Sequence, residues 1–153
     1  VNGKQKGFPV NHTSFHCTIC SMNLRDYLLQ CKRHRFWSIP QWILQDRNCF
    51  FAFCRGFASA EGHVSLTHHK KSRYVAIRVF QRDRTILNVL SLCLIKFGIF
   101  NNVHTRRDGI SYINISTSNA VIVFYKQIGF SIKSKHKTLK QYVYYKTKGA
   151  IYG

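Results

Sequence analysis

The sequence predicts an α+β domain in which helices cover one face of an antiparallel sheet. Three observations carry that expectation. Residues 63–67 alternate polar and apolar side chains, and in 73–81 the β-branched Val75, Ile77 and Val79 recur with a period of two, as half-buried strands do. Ile86, Leu87, Leu90, Leu94 and Phe97 recur at helical spacing, which gives a helix with one apolar stripe. Asp108-Gly109 separates two further short runs, and that dipeptide favours the tight turn of a hairpin.

The elements follow in order. Residues 1–46 hold both prolines, three of the six cysteines and three of the eight histidines. They read as an N-terminal extension with a short helix near Met22 to Gln30, and residues 47–153 as the main domain. Asp46 is placed to N-cap a helix from Arg47 to about Ala60, closed by Gly62. A strand from His63 to His69 turns at Lys70-Lys71-Ser72 into a second strand. On that second strand Val75, Ile77 and Val79 share one face, and Tyr74, Ala76, Arg78 and Phe80 the other. Asp83 caps the next helix and Gly98 stops it. Asn102 to Arg106 pairs with Ile110 to Ser116. Ser118 caps a helix to about Ile128, Gly129-Phe130-Ser131-Ile132 breaks it, and a last helix runs from about Lys137 to Tyr145. Helices then cover the apolar face of two hairpins in a two-layer arrangement. The open face carries His, Ser, Thr, Tyr, Asn and Arg, the groups that contact base edges and phosphates.

The charge balance points the same way. The chain has 153 residues, enough for one domain or one domain plus a small appendage. Its 24 Lys and Arg against five Asp and Glu give a net charge of +19. A field of that sign attracts polyanions, nucleic acid first. No run approaches the roughly 18 apolar residues of a membrane span, so no membrane partner is expected. Val1 to Gly7 has no apolar signal core. An intracellular location in cytoplasm or nucleoid, without secretion, is the expectation. In that setting the glycosylation-like triplets Asn11-His12-Thr13 and Asn114-Ile115-Ser116 are coincidental, and the cysteines are reduced thiols or metal ligands.

Cys17-Thr18-Ile19-Cys20, followed after ten residues by Cys31-Lys32-Arg33-His34, supplies four ligands in two pairs. That spacing suits a structural zinc knuckle. The alternatives are reduced cysteines beside a surface histidine, or a disulfide. Cys49, Cys54 and Cys93 fall at apolar helix positions and are assigned to the core.

Glu61 stands apart from the other acidic residues. Asp26, Asp46, Asp83 and Asp108 lie in polar stretches suited to caps and turns. Glu61 ends an apolar helical run and precedes a glycine, where a carboxylate is expected to be partly buried. Burying an unpaired charge is costly, and a bound cation removes that cost. Directly above it, Ala52, Gly56 and Ala60 form a small-residue stripe that lets another backbone come close. One carboxylate is poor equipment for metal-assisted phosphodiester cleavage. Two copies packed by these stripes about a two-fold axis would bring two Glu61 side chains together. The plainer alternatives are packing within one chain for the stripe and a solvated helix-end carboxylate for Glu61.

Arg55-Gly56-Phe57-Ala58-Ser59-Ala60-Glu61-Gly62 resembles the LAGLIDADG signature of homing endonucleases. The element order resembles that family's αββαββα core, and residues 129–137 resemble its C-terminal segment. The resemblance covers roughly residues 47–145 and is nearest to proteins encoded in archaeal ribosomal-RNA introns. It implies a homodimeric, site-specific double-strand DNA endonuclease of intron homing. Such an enzyme hydrolyses a long pseudo-palindromic target with magnesium or another divalent cation. Glu61 corresponds to the metal-binding acid, with the Gly62 backbone beside it as a further ligand. Gln81 corresponds to a polar residue that positions the active-site water, and Lys135 to the basic residue near the scissile phosphate. Ser59 departs from the family pattern, which has aspartate there. Ser65, Thr67, His69 and Arg78 on the first hairpin are the DNA-facing candidates, with His104, Arg106, Tyr112 and Asn114 on the second. Arg73, Lys133 and Lys137 join them as basic contacts. The rival reading is a non-catalytic RNA-binding intron maturase on the same fold.

Overall fold

The computed structural model describes residues 32, 33, 36–69 and 72–149. Two short strands, β1 (Lys32–Arg33) and β2 (Phe36–Trp37), pair with each other. They are followed by α1 (Gln41–Gln45), α2 (Arg47–Glu61), β3 (Gly62–His69), β4 (Ser72–Gln81) and α3 (Arg84–Lys96). The chain continues as β5 (Asn102–Thr105), β6 (Ser111–Ile115), α4 (Ser118–Gln127) and α5 (Lys133–Gly149). The expected helix near Met22 to Gln30 and the zinc set Cys17, Cys20, Cys31 and His34 lie outside the described residues.

Strands β3 to β6 form one antiparallel sheet in the order β3-β4-β6-β5. Two hairpins therefore join through their inner strands, with Ile77 opposite Ile115 and Val79 opposite Ile113. These four side chains and Val75 are buried. Their strand neighbours Tyr74 and Arg78 are exposed, the alternation expected of a sheet covered on one side. The buried face packs against Phe50, Phe51, Cys54 and Ala58 of α2, and against Leu87, Leu90 and Leu94 of α3. Phe124 of α4 and Leu139 of α5 complete the core. Ile39, before α1, joins it too. Cys54 is buried as expected, while Cys49 and Cys93 are half-buried. Burial pushes the Cys54 thiol well above its usual range.

Local chemistry sets the element ends. Asp46 accepts the Cys49 N–H at 2.7 Å, and Asp83 accepts the Thr85 N–H at 2.9 Å. Both are side-chain N-caps that satisfy an otherwise orphaned amide. Gly109 has φ of 80°, and Arg106 N–H reaches the Ile110 carbonyl at 2.8 Å to close the hairpin. Two expected boundaries move. Thr117 occupies the cap position of α4 without a side-chain cap bond, and the Ser118 hydroxyl instead bonds the Tyr142 hydroxyl at 3.0 Å. Helix α5 begins at Lys133, four residues before the expected Lys137. Residues 129–132 break the two helices as expected, and the His136 N–H already bonds the Ile132 carbonyl at 3.0 Å.

Candidate active site and nucleic-acid interface

Glu61 is the last residue of α2, and Gly62 is the first of β3. The direct join works because residue 62 lacks a side chain. A Cβ there would collide with the Ala58 carbonyl oxygen, which accepts the Gly62 N–H. Gly62 pairs with Val79, so the register puts Glu61 level with Phe80 and brings Gln81 to the same end of the sheet. Glu61 is exposed, which corrects the expectation of partial burial. The outer face of α2 is uncovered in the single chain, so its end meets solvent. No hydrogen bond or ion pair to the Glu61 carboxylate is seen among the described residues. Ala52, Gly56 and Ala60 are likewise exposed.

Ser59 organises this end of the molecule. It is buried, and its hydroxyl donates to the Arg55 carbonyl at 2.6 Å while accepting the Ser131 N–H at 2.8 Å. Its own carbonyl accepts from Lys135 Nζ at 2.6 Å. The Arg55 guanidinium donates to the Ile128 carbonyl at 2.6 Å, capping the end of α4. These bonds tie the segment 128–135 to the last turn of α2. They hold the Lys135 ammonium against the negative end of the helix dipole, two residues from Glu61. Gln81 is half-buried, and its Oε1 accepts the Arg82 N–H at 2.8 Å. Glu61, Gln81 and Lys135 thus gather at one end of the sheet, although they are far apart in sequence.

The open face of the sheet is built in rungs. His63, Arg78, Asn114 and Asn102 lie in register across four strands, and Phe80, Tyr112 and His104 across three. Arg78 is exposed and lies 5.9 Å from the Tyr112 ring centroid. Ser65 is opposite Ala76, Thr67 opposite Tyr74, and the His69 backbone opposite Ser72. Asn114 is on this face, but its Oδ1 is buried without a partner and its amide donates to Ser116 at 3.3 Å.

Other expected contacts lie elsewhere. Arg73 pairs with His68 on the helix-covered side, and its guanidinium sits 4.6 Å from the Tyr145 ring of α5. It does not share a face with Arg78, because strand side chains alternate. Arg106 falls just beyond β5 and pairs with Asp108 at 2.9 Å. Lys133, Lys137 and Lys140 line an open cleft of about 410 Å³ with Phe130, Ser131 and His136. No sheet residue lines that cleft. Sequence reasoning passed over His63 and Phe80 as contact candidates, although the parity of their strands places them beside Arg78.

Among the described residues no cluster of three His, Cys, Asp or Glu is placed to hold a metal. The local chemistry still suits a cation: an exposed carboxylate, the adjoining Gly62 backbone and the carbonyl end of a helix. A second such set from a second copy would double it. No described helix is long and apolar enough to cross a membrane.

Comparison with known proteins bears on all of this. A family model described as "LAGLIDADG-like domain" matches residues 49–129. A "Probable translation initiation factor IF-2" from Thermococcus kodakarensis is 36% identical over 89 residues, which are 58% of this chain and 7% of that protein. The chain therefore spans a small part of that relative's length. Among solved structures, the homing endonuclease I-CvuI in complex with its target, in the presence of Ca, has a TM-score of 0.53 and 19% identity. The likeness covers 63% of this chain and 65% of that one. Mesophilic variants of the homing endonuclease I-DmoI have a TM-score of 0.51 at 19% identity, covering 79% of this chain and 58% of theirs. At such identities the likeness concerns the fold.

Proposed function

This chain belongs to the LAGLIDADG-like domain family, and from that premise we propose that it is a site-specific double-strand DNA endonuclease acting as a homodimer. The observation that carries the reading is the convergence of Glu61, Gln81 and Lys135 at one end of a sheet whose open face carries Arg78, His63, His104 and the rings of Phe80 and Tyr112. We propose further that residues 1–46 are an extension to a 47–153 nuclease domain, with Cys17, Cys20, Cys31 and His34 as candidate zinc ligands and reduced cysteines or a disulfide as the alternatives.

Glu61 and the Gly62 backbone, with their counterparts in a second copy, would hold magnesium or another divalent cation. The crystallisation of I-CvuI with its target and Ca supports that choice. A cation held there supplies Lewis-acid polarisation of the scissile phosphate and a more acidic water. The chain's own groups do the rest. Lys135 presents its ammonium to the phosphate charge that grows in the transition state. Gln81 carries an amide able to orient the attacking water. Arg78, Tyr112, His104, Ser65, Thr67, His69 and Asn114 face the major groove. Lys133 and Lys137 add charge toward phosphates from the cleft on α5, while Arg73, against Tyr145, and Arg106, paired with Asp108, are left out of that set. The Ala52–Gly56–Ala60 stripe is the dimer contact that assembles a palindrome-reading pair.

Ser59 stands where the family pattern has aspartate. Its hydroxyl is used internally, so the departure from aspartate removes no group from the Glu61 end. For the gene's setting, an intron is one fit. A segment inside a longer coding region is the other, favoured by the match to 7% of a translation factor.

The test is a selection of cleaved duplexes from a randomised library, with and without magnesium. Cleavage should need the metal and vanish in Glu61→Gln, while duplex binding persists. Cutting by Glu61→Gln at the wild-type rate would refute the mechanism. Tight RNA binding without any DNA cutting would favour the maturase reading.

A further inference from the structure

The open face of the sheet is not uniformly polar. Phe80 on β4, Tyr112 on β6 and His104 on β5 stand in direct register. Phe80 and Tyr112 have ring centroids 5.4 Å apart, and His104 and Tyr112 5.3 Å apart, with interplanar angles of 38° and 30°. This row of rings lies one residue beyond the Gly62–Val79 pair. It is therefore level with Glu61, at the end of the sheet where the cleavage residues gather. Tyr74 and Thr67 pair toward the other end.

Phe80 has no hydrogen-bonding group, so it cannot read a donor or acceptor on a base edge. In the major groove the apolar feature that distinguishes one base is the 5-methyl group of thymine. The rings also lie against one another across the strands, the Phe80–Tyr112 pair tilted and the His104–Tyr112 pair stacked, so part of each ring surface is taken up within the row. Single-strand binders instead leave ring faces free for bases to stack on. A row of rings already packed on one another suits methyl groups projecting from an intact duplex better than it suits stacking bases.

We propose that the row Phe80–Tyr112–His104 reads thymine methyl groups at the target positions next to the cut, while Arg78 in the adjoining row reads a hydrogen-bonding edge. This rests on the DNA-endonuclease reading above and names the base chemistry that its sheet selects.

The experiment uses a duplex target selected from a randomised library and a set of single thymine-to-deoxyuridine replacements. Each replacement removes one methyl and leaves base pairing intact. Dissociation constants are measured with the full chain in calcium. Deoxyuridine at inner positions should weaken wild-type binding roughly four-fold per methyl, the change that losing one buried methyl-sized group implies. Outer positions should be indifferent to Phe80. In Phe80→Ala, the thymine–deoxyuridine difference should be lost at one inner position, the one Phe80 contacts, and Tyr74→Ala should keep it. The wild-type series needs no variant, so poor folding of Phe80→Ala would not rescue the idea. A selected target without inner thymines, or an inner deoxyuridine without effect, overturns the methyl-reading row and leaves the nuclease reading standing. Failure to bind or cut any duplex overturns both. Single-stranded RNA bound as tightly as duplex overturns the row in favour of base stacking.

Discussion

Replacing Gly56 with leucine separates the fold of one chain from the pairing of two. Gly56 is exposed on α2 between Ala52 and Ala60, and a Cβ there would meet no heavy atom within 4 Å. Within one chain the leucine has open space. Glycine in a helix interior costs roughly 1 kcal/mol relative to alanine, and leucine costs only a few tenths. The isolated domain should therefore gain roughly 0.7 kcal/mol and melt about 2–3 °C higher, given the scaling for chains of this size. The dimer should respond with the opposite sign. Packing two α2 helices by their small faces leaves no room for two added leucines. Overpacking costs about 1–3 kcal/mol at each. That sums to about 2–6 kcal/mol per dimer, at least ~30-fold in the dimer dissociation constant. Sedimentation velocity and thermal melting measure the two effects, with melts run below the dimer dissociation constant because assembly itself raises the midpoint. A variant that sediments as the wild-type dimer and cuts both strands would refute the pairing through this face. A monomeric variant that melts far below wild type would instead show Gly56 packed inside one chain.

Three further outcomes are expected. Ser59→Ala removes the acceptor of the Ser131 N–H. It should cost about 1–2 kcal/mol and slow cleavage by loosening Lys135, whereas Thr138→Ala, which loses only a bond to Ser134 within its own helix, should change little; equal denaturant midpoints and rates for the two would refute the tether. Asp46 is held below the ordinary aspartate value of 3.8, first by the Cys49 N–H bond. Its stabilising contribution is therefore present above that value and lost as pH falls through the lower folded value. The stability gap between wild type and Asp46→Asn should change below about pH 4, and a gap constant from pH 7 to 2 would contradict the cap's ionic character. Arg78→Ala should relax base preference at one position by about 1–3 kcal/mol, while Lys140→Ala weakens all sequences alike and lowers the salt slope by about one. An unchanged sequence profile in Arg78→Ala would remove it from the groove.

Much of the architecture was legible because its causes are local. Asp46 and Asp83 mark helix starts since a carboxylate bonds amides two or three residues on. The Asp108-Gly109 turn and the alternation of Val75, Ile77 and Val79 are equally short-range signals. Boundaries set by distant partners were less legible. Ser118 looks like a cap, but Tyr142, 24 residues away, takes its hydroxyl. Helix α5 starts early because the segment before it is tied to Ser59, 72 residues back. That bond has no periodicity to betray it.

The sequence by itself determined the two-layer class, the strand faces, the exceptional charge and the signature around Glu61. Each depends on residue type and spacing along a few turns or strands, where geometry is nearly fixed by the backbone. Only the tertiary structure decided which hairpin strands meet. It paired β4 with β6 and so assembled the rows containing Arg78 and Phe80. It also exposed Glu61, set Arg73 on the far side of the sheet against Tyr145, and brought Lys135 to the Ser59 carbonyl 76 residues away. Such placements follow from the packing of whole elements around a shared core, a collective result that no short window of residues encodes.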